Sequence, residues 1–565
     1  MKWKSDLVIF LLVLIGSFSV RATENDQEDA LVNLPNGPLR GEKTPKFFSF
    51  KGIPYAEAPI GERRFEPTEL YREKWSEVRN ATEFGESCMQ LVHIPIDDNL
   101  RGAEDCLFLN VYTSSLDETK NLPVFFYIHG GAFMFGGSVY YNPERIFDHQ
   151  ELVLVTINYR VGPLGFLSTE NEVVPGNMGL KDQVLALQWV KKNIHLFGGD
   201  ADSVTITGLS AGGASTHLHY FSSLSSGLFH RGHSMSGCAL NPWVMMENGK
   251  KKATKLATHF SCSTDDPKQM IACLKTKPAE EIVKASKLFM PWLYNPFSPF
   301  GVVVEKPGPK AFLTAHPEDL LRAGKVAQVP WIVSLTDAEG LYPVADFVHP
   351  ASKLEELKNK WTELAPAVLD YAGSVSPKDQ KTVAEIVRKF YMKDEEISEK
   401  NLDKLVDMFS DRLFVVGISL SARLHFEFAK APVYLVYYTY PALEGIQHVY
   451  APQYNFKRAG HGDENLVLFK TSLRKLPLTE KEKEMVKVYT NFLVSYATKD
   501  TPKFAGITVK PITSKHKMSF LHIKKPDSVS MSETVGFGNE EFWYSLPIAE
   551  YTKWNAPKKP QKIEL

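Results

Sequence analysis

One serine stands inside a Gly-x-Ser-x-Gly run, Thr205-Ile206-Thr207-Gly208-Leu209-Ser210-Ala211-Gly212-Gly213, directly after a β-prone alternating segment. This is the sequence form of a nucleophile elbow, a tight strand-to-helix turn that lifts a serine hydroxyl above a sheet. Gly208 and Gly212 suit it because the strained turn leaves little room for side chains beside Ser210. The helix that follows would offer free N–H groups to developing negative charge. The chemistry implied is acyl transfer, and a serine hydroxyl is too weak a nucleophile to manage it alone. It needs a base, itself oriented by an acid. Glu339, in Asp337-Ala338-Glu339-Gly340, follows an apolar run at a glycine-punctuated turn, with Asp337 as the nearest substitute. Among 16 histidines, His461 in Gly460-His461-Gly462-Asp463-Glu464 is the candidate base; His448 is its rival but has no acid following it.

The elements that must hold these groups are legible as apolar runs. Val124–Ile128 leads into His129-Gly130-Gly131-Ala132, and Leu152–Ile157 leads into Asn158-Tyr159-Arg160. Trp331–Ser334 precedes Glu339, and Val433–Tyr438 is strongly β-prone. Between the second run and the elbow, Leu180, Val184, Leu187, Val190 and Ile194 recur at helical spacing, with Lys181, Lys191 and Lys192 read as a wet face and Gly198-Gly199 as the stop. Continuous apolar strands alternating with amphipathic helices predict an α/β fold, a large and mostly parallel sheet flanked by helices. Functional groups then collect at the carboxyl ends of the strands. The stretch 354–404 reads as a charged, helical cap.

A chain of 565 residues predicts two or three domains by size, yet no linker, charge block or repeat divides it. The formal net charge of -1 argues against nucleic acid and against a polybasic membrane patch as partners. Lys2 and Lys4 precede an apolar run from Leu7 to Ile15, then small residues up to Ala22. That is a secretory signal over residues 1–22 and too short for a membrane span, so the mature chain begins near Thr23. The five cysteines fit an oxidising compartment: their spacing points to two local pairs and one leftover. Pairs Cys88–Cys106 and Cys262–Cys273 would each close a short loop, worth about 2–4 kcal/mol in the chain-entropy picture. Cys238, among small and apolar residues, reads as a buried thiol. Asn80-Ala81-Thr82 is a glycosylation sequon. The terminus Lys562-Ile563-Glu564-Leu565 loosely matches a lumenal retention signal, which makes the endoplasmic reticulum the alternative to secretion.

These motifs together resemble the type-B carboxylesterases of the cholinesterase-like family, from about Gly52 to at least Trp543. The resemblance is carried by Glu104-Asp105-Cys106-Leu107-Phe108-Leu109-Asn110, His129-Gly130-Gly131-Ala132-Phe133, Asn158-Tyr159-Arg160-Val161-Gly162, Asp182-Gln183, the elbow, Ser236-Gly237-Cys238-Ala239, Glu339-Gly340 and His461-Gly462-Asp463-Glu464. It implies a single α/β-hydrolase domain over 23–565, in place of two or three. It further implies Ser210 as nucleophile, His461 as base and then acid, Glu339 as orienting partner, and an oxyanion hole of the backbone N–H groups of Gly131, Ala132 and Ala211. Ser236 resembles the family's serine beside the acid, and the Cys88–Cys106 and Cys262–Cys273 pairs follow its disulfide pattern. Arg64–Glu104 and Arg160–Asp182 are expected as ion pairs that hold loops, not as substrate clamps. No metal or organic cofactor is called for, and the partner is a small ester; the oligomeric state is left open. Met89 to Asp105 holds no tryptophan to stack on a quaternary ammonium, which argues against choline esters. A carboxylesterase for hydrophobic esters is the expectation. Juvenile-hormone esterase is the alternative, weakened by Leu209 where those enzymes typically carry Gln. A non-catalytic adhesion protein on the same fold is the alternative of another class. The chain departs from the family pattern at Arg458, where many relatives have glycine.

Overall fold

Each of the four apolar runs becomes a strand of one sheet. The computed structural model describes residues 30–93, 99–455, 457–499 and 501–551. The expected signal at 1–22 and the terminus at 562–565 lie outside them. In chain order the strands of the main sheet are β1 (Glu42–Lys43), β2 (Phe48–Pro54), β3 (Phe108–Thr113), β4 (Leu122–Ile128), β5 (Val153–Ile157), β6 (Gly199–Leu209), β7 (Arg231–Met235), β8 (Trp331–Thr336), β9 (Val433–Tyr438), β10 (Met518–Lys525) and β11 (Ser528–Thr534). They lie side by side as β11-β10-β9-β8-β7-β6-β4-β5-β3-β2-β1. From β5 through β10 every pairing is parallel, for example Phe126 opposite Ile206 and Thr207 opposite His233. The pairings at both edges are antiparallel.

Burial on both faces is visible in the alternation along single strands. Val124, Phe126 and Ile128 of β4 join one apolar cluster, while Phe125 and Tyr127 join the other. The same division separates Trp331, Val333 and Leu335 of β8 from Ile332. A strand with a core on each side needs apolar residues at every position, which is why these runs are continuous.

Five helices bear on the site: α1 (Met178–Asn193), α2 (Ala211–His219), α3 (Leu341–Val348), α4 (Leu402–Ser410) and α5 (Asp463–Leu468). The stretch 354–404 is largely helical, as expected, and leads into α4. On α1 the reading of the polar face needs correction. Lys191 and Lys192 are exposed, but Lys181 is buried, its Nζ 2.6 Å from Glu305 Oε2. The chain around Val303–Phe312 crosses that face, and Asn177 and the Phe312 N–H complete the shell around Glu305. The helix stop also differs in detail. One tightened turn, Ile194–Phe197, follows α1, Gly198 caps it in the left-handed region at φ 74°, and Gly199 already belongs to β6. Cys88–Cys106 and Cys262–Cys273 are bonded, and Cys238 is buried with a free thiol. Asn80 is exposed on a short strand of a smaller sheet. Among the described residues no helix is long and apolar enough to cross a membrane.

Candidate active site

Ser210 occupies the single-residue turn between β6 and α2, with φ 60° and ψ −121°. Such a backbone is strained for a residue with a side chain, and it persists because its surroundings hold it. The Ser210 N–H donates to the Met235 carbonyl at 2.8 Å, and the Ser210 carbonyl accepts from Ala214 N–H at 2.8 Å. Close packing explains the flanking glycines. A Cβ on Gly212 would lie 2.0 Å from the Ile128 carbonyl oxygen, and one on Gly208 would lie 2.5 Å from the Gly212 backbone. The elbow is thus pressed against the end of β4, and Ala211 N–H begins the first turn of α2 beside it.

Glu339 and His461 come together from turns far apart in the chain. His461 Nδ1 lies 2.7 Å from Glu339 Oε2. The other carboxylate oxygen accepts from the Ser236 hydroxyl at 2.6 Å and from the Thr336 N–H at 2.8 Å. Glu339 is fully buried and His461 is 3% exposed, so the acid is aimed by three donor atoms and shielded from water. The imidazole lies between two rings, Phe414 at 4.6 Å and Tyr342 at 5.4 Å. Phe414 belongs to a wide π-helical turn, Asp411–Val415, a form of helix defect that recurs at functional sites. Behind the imidazole, burial with Glu339 nearby pushes the Glu464 carboxyl up to about 8. Burial outweighs two backbone hydrogen bonds at Asp463 and pushes it up to about 8 as well. The rivals stand elsewhere: His448 Nδ1 accepts from Gly445 N–H, and Asp337 pairs with Arg458.

The segment after β4 wraps over the serine. Gly131, Ala132 and Phe133 all have positive φ, at 108°, 56° and 59°. A Cβ on Gly131 would sit 2.1 Å from the Phe135 carbonyl oxygen, so glycine is required there on both counts. The Gly131 carbonyl is used by Met134 and Phe135 N–H. Two side chains brace this segment. Gln90 exchanges hydrogen bonds with Gly136 in both directions, each 2.7 Å. His129 Nδ1–H donates to the Gly130 carbonyl at 2.8 Å, with its ring stacked on Tyr159 at 4.2 Å. Burial lowers His129 to about 4, so it is a neutral brace at pH 7.

The residues from 28 to 543 match the model of the carboxylesterase family. The chain belongs to the carboxylesterase family. It is 36% identical to venom carboxylesterase-6 of Apis mellifera, over 96% of this chain and 98% of that one. It is 38% identical to esterase-5B of Drosophila persimilis, over 86% of this chain and 92% of that one. The crystal structure of juvenile hormone esterase from Manduca sexta, with OTFP covalently attached, superposes with a TM-score of 0.79 at 27% identity, over 91% of this chain and 99% of that one. The α/β-hydrolase fold and carboxylic-ester hydrolase activity follow, and the adhesion-protein alternative falls.

In this carboxylesterase, Ser210 and His461 open onto one cavity of about 90 Å³, with Gly130, Gly131 and Ala132 on its wall. Leu209, Phe135, Tyr141, Ile446, Leu466, Phe469 and Leu473 supply most of the rest, and no Asp, Glu, Lys or Arg among the described residues lines it. The two expected ion pairs stand outside it. Arg64 forks onto Glu104 with both contacts at 2.6 Å, and Arg160 forks onto the fully buried Asp182 at 2.8 and 2.7 Å. Arg160 also donates to the Glu66 carbonyl, tying the loop after β5 and the loop at Glu66 to α1. Asp182→Asn is therefore expected to lower unfolding stability by about 3–5 kcal/mol, as for one broken buried pair. Activity per folded molecule should be kept; urea unfolding beside kcat per titrated site checks this, and a variant of normal stability with low kcat would contradict it. Gln90 and Phe414 carry little signal in the sequence. Gln90 follows Cys88 by two residues, so proximity to the disulfide is the one available signal, and Phe414 carries none.

Proposed function

We propose that this carboxylesterase hydrolyses neutral, hydrophobic carboxylic esters through an acyl-enzyme on Ser210. The observation that carries the reading is that His461, which shares the wall of one apolar cavity with Ser210, is paired behind that wall with buried Glu339. Glu339 accepts Nδ1–H and so presents Nε2 as the basic nitrogen. His461 takes the Ser210 proton as the hydroxyl attacks the ester carbonyl. The carbonyl oxygen, now negative, is received by the N–H groups of Gly131, Ala132 and Ala211. The imidazolium then protonates the departing alcohol. Water, activated by the same imidazole, attacks the acyl-enzyme, and the Ser210 hydroxyl is regenerated.

The lining sets the substrate class. A cation entering this cavity would lose its hydration and meet no carboxylate among the described residues, while an apolar acyl or alkyl group loses nothing. Secretion through the 1–22 signal is supported by two disulfides and by an exposed Asn80 that can carry a glycan. Protein collected from culture medium, with its N-terminus near Thr23, is the material for the test. A short-chain nitrophenyl ester is expected to exceed the choline ester of the same acid by about a hundredfold in kcat/KM, since an unpaired buried cation costs several kcal/mol. Equal turnover of the two would overturn the substrate class.

Juvenile-hormone ester hydrolysis is the second reading, favoured by the match to the Manduca sexta enzyme. Leu209 bears on it directly, because this side chain lies on the cavity wall next to Gly462, where a Cβ would stand 2.9 Å from Leu209 Cδ2. A juvenile-hormone ester turned over faster than the nitrophenyl ester in the same assay would decide for it.

A further inference from the structure

Arg458, three residues before His461, links the turn that carries the acid, the turn that carries the base and α4. Its Nη1 donates to Asp407 Oδ1 at 2.7 Å, its Nε to Asp337 Oδ2 at 3.3 Å, and its Nη2 to the Asp337 carbonyl. Asp337 in turn accepts the Ala459 N–H at 2.9 Å through its other carboxylate oxygen. The Ala338 N–H donates to the Ala459 carbonyl at 3.0 Å, and Ala338 pairs with Gly460 as a short parallel bridge. Glu339 is two residues beyond Asp337, and His461 is three beyond Arg458. The guanidinium and its partner therefore clamp the acid-bearing turn to the histidine-bearing turn, one step back from the 2.7 Å contact between their side chains.

The third element linked is α4. Asp407 sits on this helix, which also packs on the residue after the acid. A Cβ on Gly340 would lie 2.2 Å from the Val406 carbonyl oxygen, and the Gly340 N–H donates to Ser410 Oγ at 2.8 Å. The turn carrying Glu339 is thus fixed to α4 directly, while the turn carrying His461 reaches α4 through Arg458. The geometry points to Arg458 as a positioning residue that sets the separation and aim of His461 relative to Glu339, using Asp337 and Asp407 as its two anchors. This rests on the Ser210–His461–Glu339 reading above.

Removing the guanidinium keeps the imidazole but lets the turn that carries it drift, and small misplacements of a reacting group are costly in kcat without altering ground-state binding. Arg458→Ala is expected to lower kcat for a nitrophenyl ester by about tenfold, with KM within about twofold of wild type. The rate is counted per site titrated with an organophosphate, which discards unfolded enzyme. Arg458→Lys should restore part of the loss, since an ammonium can reach one anchor but cannot fork across both. Millimolar guanidinium chloride should raise the rate of Arg458→Ala and not that of wild type. Asp407→Asn, on the exposed side of the clamp, should give a smaller fall in kcat of the same kind. Wild-type kcat per titrated site in Arg458→Ala, or no response to guanidinium, would overturn the assignment. If Ser210→Ala, assayed alongside, keeps its activity, the triad reading fails instead; if it is inactive, a null result at Arg458 rejects the clamp alone.

Discussion

Ser210→Ala is expected to reduce ester turnover by about 10⁵- to 10⁶-fold in kcat, the loss seen when the nucleophile of a serine triad is removed. Stability should scarcely move. The strain at position 210 lies in the backbone, at φ 60° and ψ −121°, and alanine carries the same Cβ through the same turn. The contacts that hold the turn are made by the backbone of residue 210, to Met235 and Ala214, and both survive the change. The variant should therefore unfold within about 2 °C of wild type, as expected for a surface-like change that breaks no packing. Two measurements check this. Burst kinetics with a nitrophenyl ester should lose the acyl-enzyme phase, and a fluorophosphonate should add its mass to wild type and not to the variant. A variant retaining a tenth of wild-type kcat would assign the chemistry to another group.

The same elbow shows why so much of this molecule can be read from the chain and where reading stops. Strands β4, β5, β8 and β9 are buried on both faces, so each spells itself out as an apolar run. Strand β7 lies between β6 and β8 and is equally central, yet Arg231-Gly232-His233-Ser234-Met235 contains no such run. Its burial is made tolerable by partners that only the fold supplies. His233 Nδ1 meets Thr207 Oγ1 at 3.2 Å, with burial lowering that imidazole to about 3. Ser234 Oγ donates to the Gly213 carbonyl and accepts from Trp331 Nε1–H. Gly232 leaves the space that the Tyr220 ring fills. The outer strands β1–β3 and β10–β11 escape notice for two reasons: β1 and β11 are largely exposed, while polar residues such as Ser49, Lys51, Asn110 and Ser519 interrupt the apolar runs of the mostly buried β2, β3 and β10.

Lys181 teaches the converse lesson. A lysine at helical spacing marks a solvated face only if nothing crosses it, and here Glu305 arrives from more than a hundred residues downstream. The candidate site residues were legible because their types and spacing are dictated by local chemistry: glycines where Cβ atoms cannot fit, a serine at the turn, an acid and a histidine each beside a glycine. What braces them was not legible. Gln90, Phe414 and the Arg458–Asp337–Asp407 clamp act across distances at which spacing in the chain carries no information.

Glu339→Gln separates orientation from mere presence at the base. Every partner of this carboxylate is a donor or can act as one: His461 Nδ1–H at 2.7 Å on one oxygen, the Ser236 hydroxyl and the Thr336 N–H on the other. Glutamine keeps the size and removes the charge, but one of its two ends must be an NH₂ group. Turned toward His461, that group faces an N–H and drives the imidazole to the opposite tautomer, with its proton on Nε2 and no lone pair for Ser210. Turned the other way, it opposes the Thr336 N–H in a fully buried place, where an unmatched donor costs about 1–3 kcal/mol. Either way the base is lost or the turn is displaced. The expected fall in kcat is about 10⁴-fold, the size associated with the wrong histidine tautomer in a triad. Glu339→Asp keeps the charge but is one methylene too short to span Thr336 and His461 together, so it should lose less. Paired kcat measurements with thermal melts check both. A Glu339→Gln enzyme within tenfold of wild type would show that the glutamate does not select the tautomer, and that Ser210 relies on His461 held in place by its ring contacts to Phe414 and Tyr342 alone.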